Sequence, residues 1–116
     1  IPVLDHWWQT ELGWPALANC AGIGLLPVKP GSPTREVPGY DIRVLDADGH
    51  DAAPGQIGTI VIRLPLPPGS LPTLWHNDEG YVSTYLARYP GYYLTGDAGY
   101  RDGDGYFYVM SRVDDI

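Results

Sequence analysis

Fifteen glycines and twelve prolines are spread through 116 residues, and their spacing limits this chain more than any other feature. Proline removes a backbone donor and fixes φ, while glycine raises the entropic cost of ordering a helix or strand. Long uninterrupted helices are therefore unlikely on composition, and short strands joined by turns are favoured. With 44% apolar residues the chain has material for a core, and a compact chain of this size buries roughly two-thirds of its unfolded surface. Fourteen acidic against seven basic residues give net charge −7. That balance argues against nucleic acid or an anionic membrane as partner, since both need a surplus of Lys and Arg. No apolar run approaches the ~20 residues that span a bilayer. The single Cys20 excludes a disulfide framework and a Cys-rich zinc site, and a buried thiol is its default state. Beginning at Ile1 and ending at Ile116, the chain is expected to be an excerpt of a longer one.

The order of segments predicts a mainly β architecture with one helix. An apolar run (Ile1, Val3, Leu4) leads into Asp5-His6-Trp7-Trp8-Gln9-Thr10-Glu11, the arrangement by which a strand delivers polar groups to a sheet edge. From Ala16 to Leu26 periodicity does not separate coil from strand. Alternation at Tyr40–Leu45 and the β-branched run Ile57–Leu64 read as strands, the second expected at a sheet centre by its apolar density. Asn77 or Asp78 can cap a helix whose apolar face carries Tyr81, Val82, Tyr85, Leu86 and Tyr89, ending at Pro90. Within it Gly80 is expected to cost about 1 kcal/mol relative to Ala. Tyr92–Thr95 and Tyr106–Met110 read as a second β pair around the turn Arg101–Gly105.

Three stretches could carry chemistry. Residues 5–11 pack two carboxylates, two indoles, an amide and a hydroxyl together, a costly set to bury without partners; a strand with one core Trp and a solvated polar face is the plainer reading. Tyr93-Leu94-Thr95-Gly96-Asp97 places an acid at an expected strand exit, where a carboxylate can accept two hydrogen bonds from vicinal hydroxyls. A turn with Asp97 bonding local amides is the competing account. Ser111-Arg112-Val113-Asp114-Asp115 offers an arginine fork for phosphate or hydroxyls, or else a solvated charged end. The acidic stretches 46–51 and 102–105 lack the glycine at six and glutamate at twelve of an EF-hand loop and read as hairpin turns.

Taken in order, these stretches resemble the AMP-forming short-chain acyl-CoA synthetases, the acetyl-CoA and propionyl-CoA branch of the adenylate-forming superfamily. Residues 5–11 resemble its Trp-Gln-Thr-Glu motif, and Lys29-Pro30-Gly31-Ser32-Pro33-Thr34-Arg35 its following Pro-Gly-Ser loop. Gly55 to Arg63 resembles a family strand, Tyr93–Asp97 its Tyr-x-(Ser/Thr)-Gly-Asp motif, and Asp104 through Asp115 the approach to its hinge. The resemblance implies a fragment of the large domain. Residues 1–35 would end the acyl- and nucleotide-binding α/β subdomain. Residues 36–110 would form a distorted β-barrel-like subdomain with one helix near 77–89, and 111–116 would begin the hinge.

By the same resemblance the parent activates acetate or propionate with ATP to an acyl-adenylate and passes the acyl group to CoA. Asp5, Trp7 and Gln9 would serve the nucleotide, Trp8 would wall a short acyl pocket, and Thr10 would contact phosphates. Glu11 would hold Mg²⁺, Asp97 the ribose hydroxyls and Arg112 the nucleotide nearby, with Asp114 as hinge pivot. Thr10 and Glu11 are the implied catalytic pair. ATP, CoA, Mg²⁺ and the rest of the parent chain are the implied partners, in a cytoplasmic or, in a eukaryote, mitochondrial-matrix setting. Leu12 stands where the family usually has Thr. The family's glycine-rich lysine loop and its C-terminal catalytic lysine match nothing in the sequence, so the 116 residues alone are expected not to catalyse adenylation. Two other classes stay open: a β-rich module stacking Trp7, Trp8 and tyrosines on sugars, and a domain stabilised by Ca²⁺ at its acidic turns.

Overall fold

The computed structural model describes residues 3–113, in seven strands and one short helix. Strands β1 (His6–Trp7), β2 (Leu17–Ala18) and β3 (Arg35–Glu36) pair antiparallel in that order, and β4 (Ile42–Leu45), β5 (Gly58–Arg63), β6 (Tyr92–Arg101) and β7 (Phe107–Arg112) form a second antiparallel sheet. The expected barrel is a miss. Closure requires tilted strands whose last member pairs with the first, and among the described residues β4 and β7 remain the two open edges of the four-stranded sheet. Phe107 links the layers instead, its amide donating to the Thr34 carbonyl at 2.9 Å just before β3.

Strand β5 is central as its sequence suggests. Ile60, Val61 and Ile62 are all fully buried, and because successive side chains face opposite sides, both faces of the strand are covered. Leu12, Ala16 and Leu17 from the first layer share one core with Ile42, Val44, Ile60, Ile62, Tyr93 and Phe107 from the second. The two layers therefore depend on a common apolar interior. Among the described residues no helix is long and apolar enough to cross a membrane.

Three readings need correction. The opening apolar run makes no strand among the described residues, with Val3 84% exposed, and pairing starts only at His6. Residues 92–101 form one strand, so Thr95-Gly96-Asp97 lies inside it and not at its exit. A bulge at Ala98/Gly99 lets the ladder continue past this irregular stretch. Cys20 is half-buried, with only a long 4.0 Å contact to the Ala18 carbonyl.

The helix is shorter and more irregular than its periodicity predicts. One α turn, α1 (Asp78–Tyr81), runs into a π-helical segment over Val82–Leu86. Tyr81 is buried and Tyr85 and Leu86 half-buried, but Val82 is 48% exposed, because the wider π turn rotates it off the packed face. Asn77 does cap, its Oδ1 accepting from the Gly80 amide at 3.0 Å. A Cβ on Gly80 would lie 2.2 Å from the Asn77 side chain, so alanine would evict the cap. Gly80→Ala is therefore expected to lower stability by about 1 kcal/mol, the usual worth of an N-cap. A rise in melting temperature, the result helix propensity alone would give, would show the clash to be harmless.

Residues 19–34 contain no strand yet are firmly held. Asn19 exchanges two hydrogen bonds with Leu26, Tyr106 Oη donates to the Pro27 carbonyl at 2.6 Å, and Ser32 Oγ donates to the Phe107 carbonyl at 2.7 Å. Lys29 Nζ bridges Asp102 and Asp104 at 2.8 and 2.6 Å over the β6–β7 turn and stacks on the Tyr106 ring. The hydrogen bonds it donates to the two carboxylates raise the Lys29 pKa above its usual value. Some burial of Asp102 works against its charge, but Lys29 and the Tyr106 and Asp104 amides prevail and lower its pKa. Both acidic stretches are turns, as their sequence suggests. Asp46 Oδ1 accepts from the Asp48 and His50 amides, and Asp102 Oδ1 does the same for Asp104 and Tyr106. Asp46, Asp48 and His50 do place their ligand atoms within 4.8 Å of one another, but the turn's own amides explain the inward face of Asp46.

Candidate functional site

Asp97 is the point on which the first layer and the second converge. It sits mid-strand in β6 opposite Arg112 of β7, with its side chain 13% exposed. Its amide donates to Thr95 Oγ1 at 3.1 Å, and Thr95 Oγ1 donates to the Ile60 carbonyl at 2.6 Å, which anchors the strand from both sides. Trp7 Nε1 reaches Asp97 Oδ2 at 3.0 Å, and Gln9 Nε2 reaches the same oxygen at 3.2 Å and the Thr95 carbonyl at 2.6 Å. Arg112 donates to the Thr95 carbonyl at 3.1 Å and lies 3.4 Å from Asp97 Oδ1. A carboxylate has about four acceptor sites. Among the described residues Oδ2 accepts twice, from Trp7 and Gln9, and Oδ1 once, at 3.4 Å from Arg112, so Oδ1 has acceptor capacity for further donors.

Gly96 makes this crossing possible. Its φ of +78° is left-handed, and a Cβ there would stand 2.5 Å from the Arg112 guanidinium. Any side chain would push the arginine off the strand.

The rest of the 5–11 stretch divides. Gln9 precedes a 3-10 turn (Thr10–Leu12) whose last residue, Leu12, is buried in the core. In the turn Glu11 is half-buried and accepts from Tyr85 Oη at 3.2 Å on Oε2. Tyr93 Oη donates to Gln9 Oε1 at 3.2 Å, and the Tyr85 and Tyr93 rings stack at 5.3 Å and 4°. Burial raises the pKa of both phenols, more strongly for Tyr93, with the nearby Glu11 charge adding to it. Both therefore remain O–H donors at neutral pH. Asp5, Trp8 and Thr10 face outward, Trp8 at 53% exposure. Asp114 lies outside the described residues.

Of the residues singled out from sequence, Trp7, Gln9, Asp97 and Arg112 form one hydrogen-bonded group, and Glu11 stands beside it through the tyrosine stack. In the sequence Tyr85 reads as part of a helix's apolar face, and Tyr93 opens the Tyr93–Asp97 motif without a role of its own. The available signal was their hydroxyls, since a buried phenol needs a polar partner. The Glu11 carboxylate has one hydrogen bond among the described residues, on Oε2, which leaves Oε1 for a divalent cation. Mg²⁺ commonly takes one or two carboxylates and fills its other positions with phosphates and water. Glu11 suits that pattern.

No protein-family model matches the chain. It is 53% identical over 99% of its length to an uncharacterized protein of Pseudomonas aeruginosa. It is 50% identical over its full length to the human mitochondrial acyl-CoA synthetase short-chain family member 3. An acetyl-coenzyme A synthetase of Pyrobaculum aerophilum is 39% identical over 95% of the chain. The chain spans 18%, 17% and 16% of these relatives, about a sixth of their length.

Proposed function

Because the chain belongs with the short-chain acyl-CoA synthetase family, we propose that it supplies part of the nucleotide and acyl site of an acid–CoA ligase. In this reading the parent protein joins ATP to acetate or propionate, releases pyrophosphate, and transfers the acyl group from AMP to CoA. The observation that carries it is the convergence of Trp7, Gln9 and Arg112, from two separate stretches, on the Asp97 carboxylate of a third. Asp97 Oδ1 accepts from the ribose hydroxyls, with Arg112 beside it over the nucleotide, and the Trp7 indole and Gln9 amide fix the carboxylate's orientation. Asp5 borders the adenine, and Thr10, exposed at the turn, meets the phosphates. Glu11 would hold Mg²⁺, which when bound offsets negative charge on the transferring phosphates. Residues 1–35 and 36–110 act as neighbouring parts of this large domain, with 111–116 leading to the hinge at Asp114.

Trp8 presents its indole outward, in position to wall an acyl pocket completed by the rest of the parent. One methylene is worth about 1–3 kcal/mol in such a pocket. Trp8→Gly in the parent is expected to shift preference towards acids several carbons longer, with acetate and propionate turnover falling at least tenfold by that measure. Chain-length profiling of the variant checks it, and an unchanged profile would remove Trp8 from the pocket.

The reading as a whole is tested by acid-dependent exchange of pyrophosphate into ATP by the parent protein. Exchange that requires acetate or propionate, followed by CoA-dependent release of AMP, supports it. An active, folded parent that shows neither with any short acid overturns it. The isolated 116 residues should show no exchange.

A further inference from the structure

Gln9 and Glu11 stand on backbone that cannot hold them in place by itself. Gln9 is in extended conformation between β1 and a turn of three residues, and Glu11 is the middle residue of that turn. A single 3-10 turn has weak hydrogen-bond geometry and little rigidity. Two phenols from distant parts of the chain touch these side chains instead. Tyr85 comes from the π-helical segment and Tyr93 from β6. Tyr93 is fully buried, and the near-parallel stack of the two rings keeps their hydroxyls at a fixed spacing.

The consequence for Gln9 is directional. With Oε1 held by Tyr93, Nε2 faces the Thr95 carbonyl and Asp97 Oδ2. A flipped amide would set its oxygen against two acceptors and deprive the Tyr93 O–H of its acceptor. For Glu11 the consequence is selective, since Tyr85 occupies Oε2 and leaves Oε1 without a hydrogen bond among the described residues. The geometry points to Tyr85 and Tyr93 as positioning residues that work as a stacked pair, Tyr93 fixing the Gln9 amide against Asp97 and Tyr85 fixing the Glu11 carboxylate. This assignment rests on the nucleotide role proposed for Asp97 and the Mg²⁺ role proposed for Glu11. Neither phenol touches the reacting atoms. Tyr85 acts on the carboxylate proposed for Mg²⁺, and Tyr93 acts through Gln9 on the carboxylate proposed for the ribose, and this pre-orientation lowers the ordering cost on binding.

The experiment uses the full-length parent with Tyr85→Phe and Tyr93→Phe, which keep the rings and remove one hydroxyl each. AMP binding without metal is read by calorimetry, and Mn²⁺ binding in the presence of ATP by electron paramagnetic resonance. Tyr93→Phe should weaken metal-free AMP binding about tenfold, the size expected for a lost bond supporting a charged group, with Mn²⁺ affinity unchanged. Tyr85→Phe should weaken Mn²⁺ binding about tenfold, as loss of an outer-shell partner does, with AMP binding unchanged. Gln9→Met should match Tyr93→Phe, and the double variant should add little to either, because both remove one linkage. Wild-type affinities in both phenylalanine variants, alongside loss of Mn²⁺ in Glu11→Gln and of AMP in Asp97→Asn, would overturn the positioning roles and leave the site reading intact. Wild-type behaviour in Glu11→Gln and Asp97→Asn would overturn the site reading itself, and the positioning roles with it. Equal weakening of both ligands by either phenylalanine variant would mark general loosening and also overturn the pair's division of labour.

Discussion

An Asp97→Ala variant of the parent should bind AMP about 10²–10⁴-fold more weakly, because two hydrogen bonds to a charged acceptor are lost at about 1.5–3 kcal/mol each. Calorimetry with AMP is the direct measurement. The variant should remain folded, since Gln9 keeps the Thr95 carbonyl and Arg112 does too. Trp7 Nε1 loses its Asp97 acceptor, so some loss of thermal stability is expected alongside the binding defect. Asp97→Asn separates the two effects. It keeps an oxygen for Trp7 but lacks the charge and offers fewer acceptor positions, so stability should recover more than affinity. Normal AMP binding in a folded Asp97→Ala protein would end the ribose assignment.

The second large effect belongs to the core. Phe107→Ala should destabilise the fold by about 3–5 kcal/mol, the usual cost of emptying a fully buried aromatic site. Phe107 has no exposed surface and lies in the core that both layers share. Its ring lies 4.4 Å beneath the Arg101 guanidinium, whose Nε is buried without a hydrogen-bond partner among the described residues. Arg101 also pairs with Glu36 on β3, so the cavity would open beside a charge pair joining the two layers. Denaturant unfolding of the parent, followed through a probe in this region, measures the loss. Phe107→Leu should cost much less, because an aliphatic side chain fills part of the space. A loss below about 1 kcal/mol for Phe107→Ala would show that the site collapses around the smaller residue, contrary to the packing described.

How much of this was legible in the sequence varies with the range of the interaction that decides it. The β5 run announces itself through Ile60, Val61 and Ile62, and the turn at Asp46–Gly49 through local side-chain chemistry. Asn77 was legible as a cap because its partner lies three residues away. The length of β6 was not, since Thr95-Gly96-Asp97 looks like a stop. What keeps the strand going is Arg112 lying over Gly96 and the bulge near Ala98, both set by β7. The π-helical turn was hidden for a similar reason. Its residues carry a helical period, and only packing decides that Val82 leaves the face. Barrel closure was an expectation from resemblance alone, with no residue pattern behind it. At the site, Trp7, Gln9, Asp97 and Arg112 were each identifiable, but their shared hydrogen bonds were not. The tyrosines were missed because their rings satisfy an apolar pattern while their hydroxyls do the distinguishing work.

Most of the bonds that gather these groups join residues far apart along the chain. Trp7 and Asp97 are 90 residues apart, Gln9 and Tyr93 are 84, and Glu11 and Tyr85 are 74. Even the strandless stretch around Lys29 is held by Asp102, 73 residues later. During synthesis, then, residues 5–36 emerge before the segments that hold them from across the chain, although β1, β2 and β3 can already pair with one another. At ribosomal speeds of about 5–20 residues per second the wait is roughly 5 to 20 s, and long-range pairing is slow even once both ends exist. For that interval the core residues Leu12, Ala16 and Leu17 lack the second sheet that covers them. The site is complete only when the last of its strands has been made.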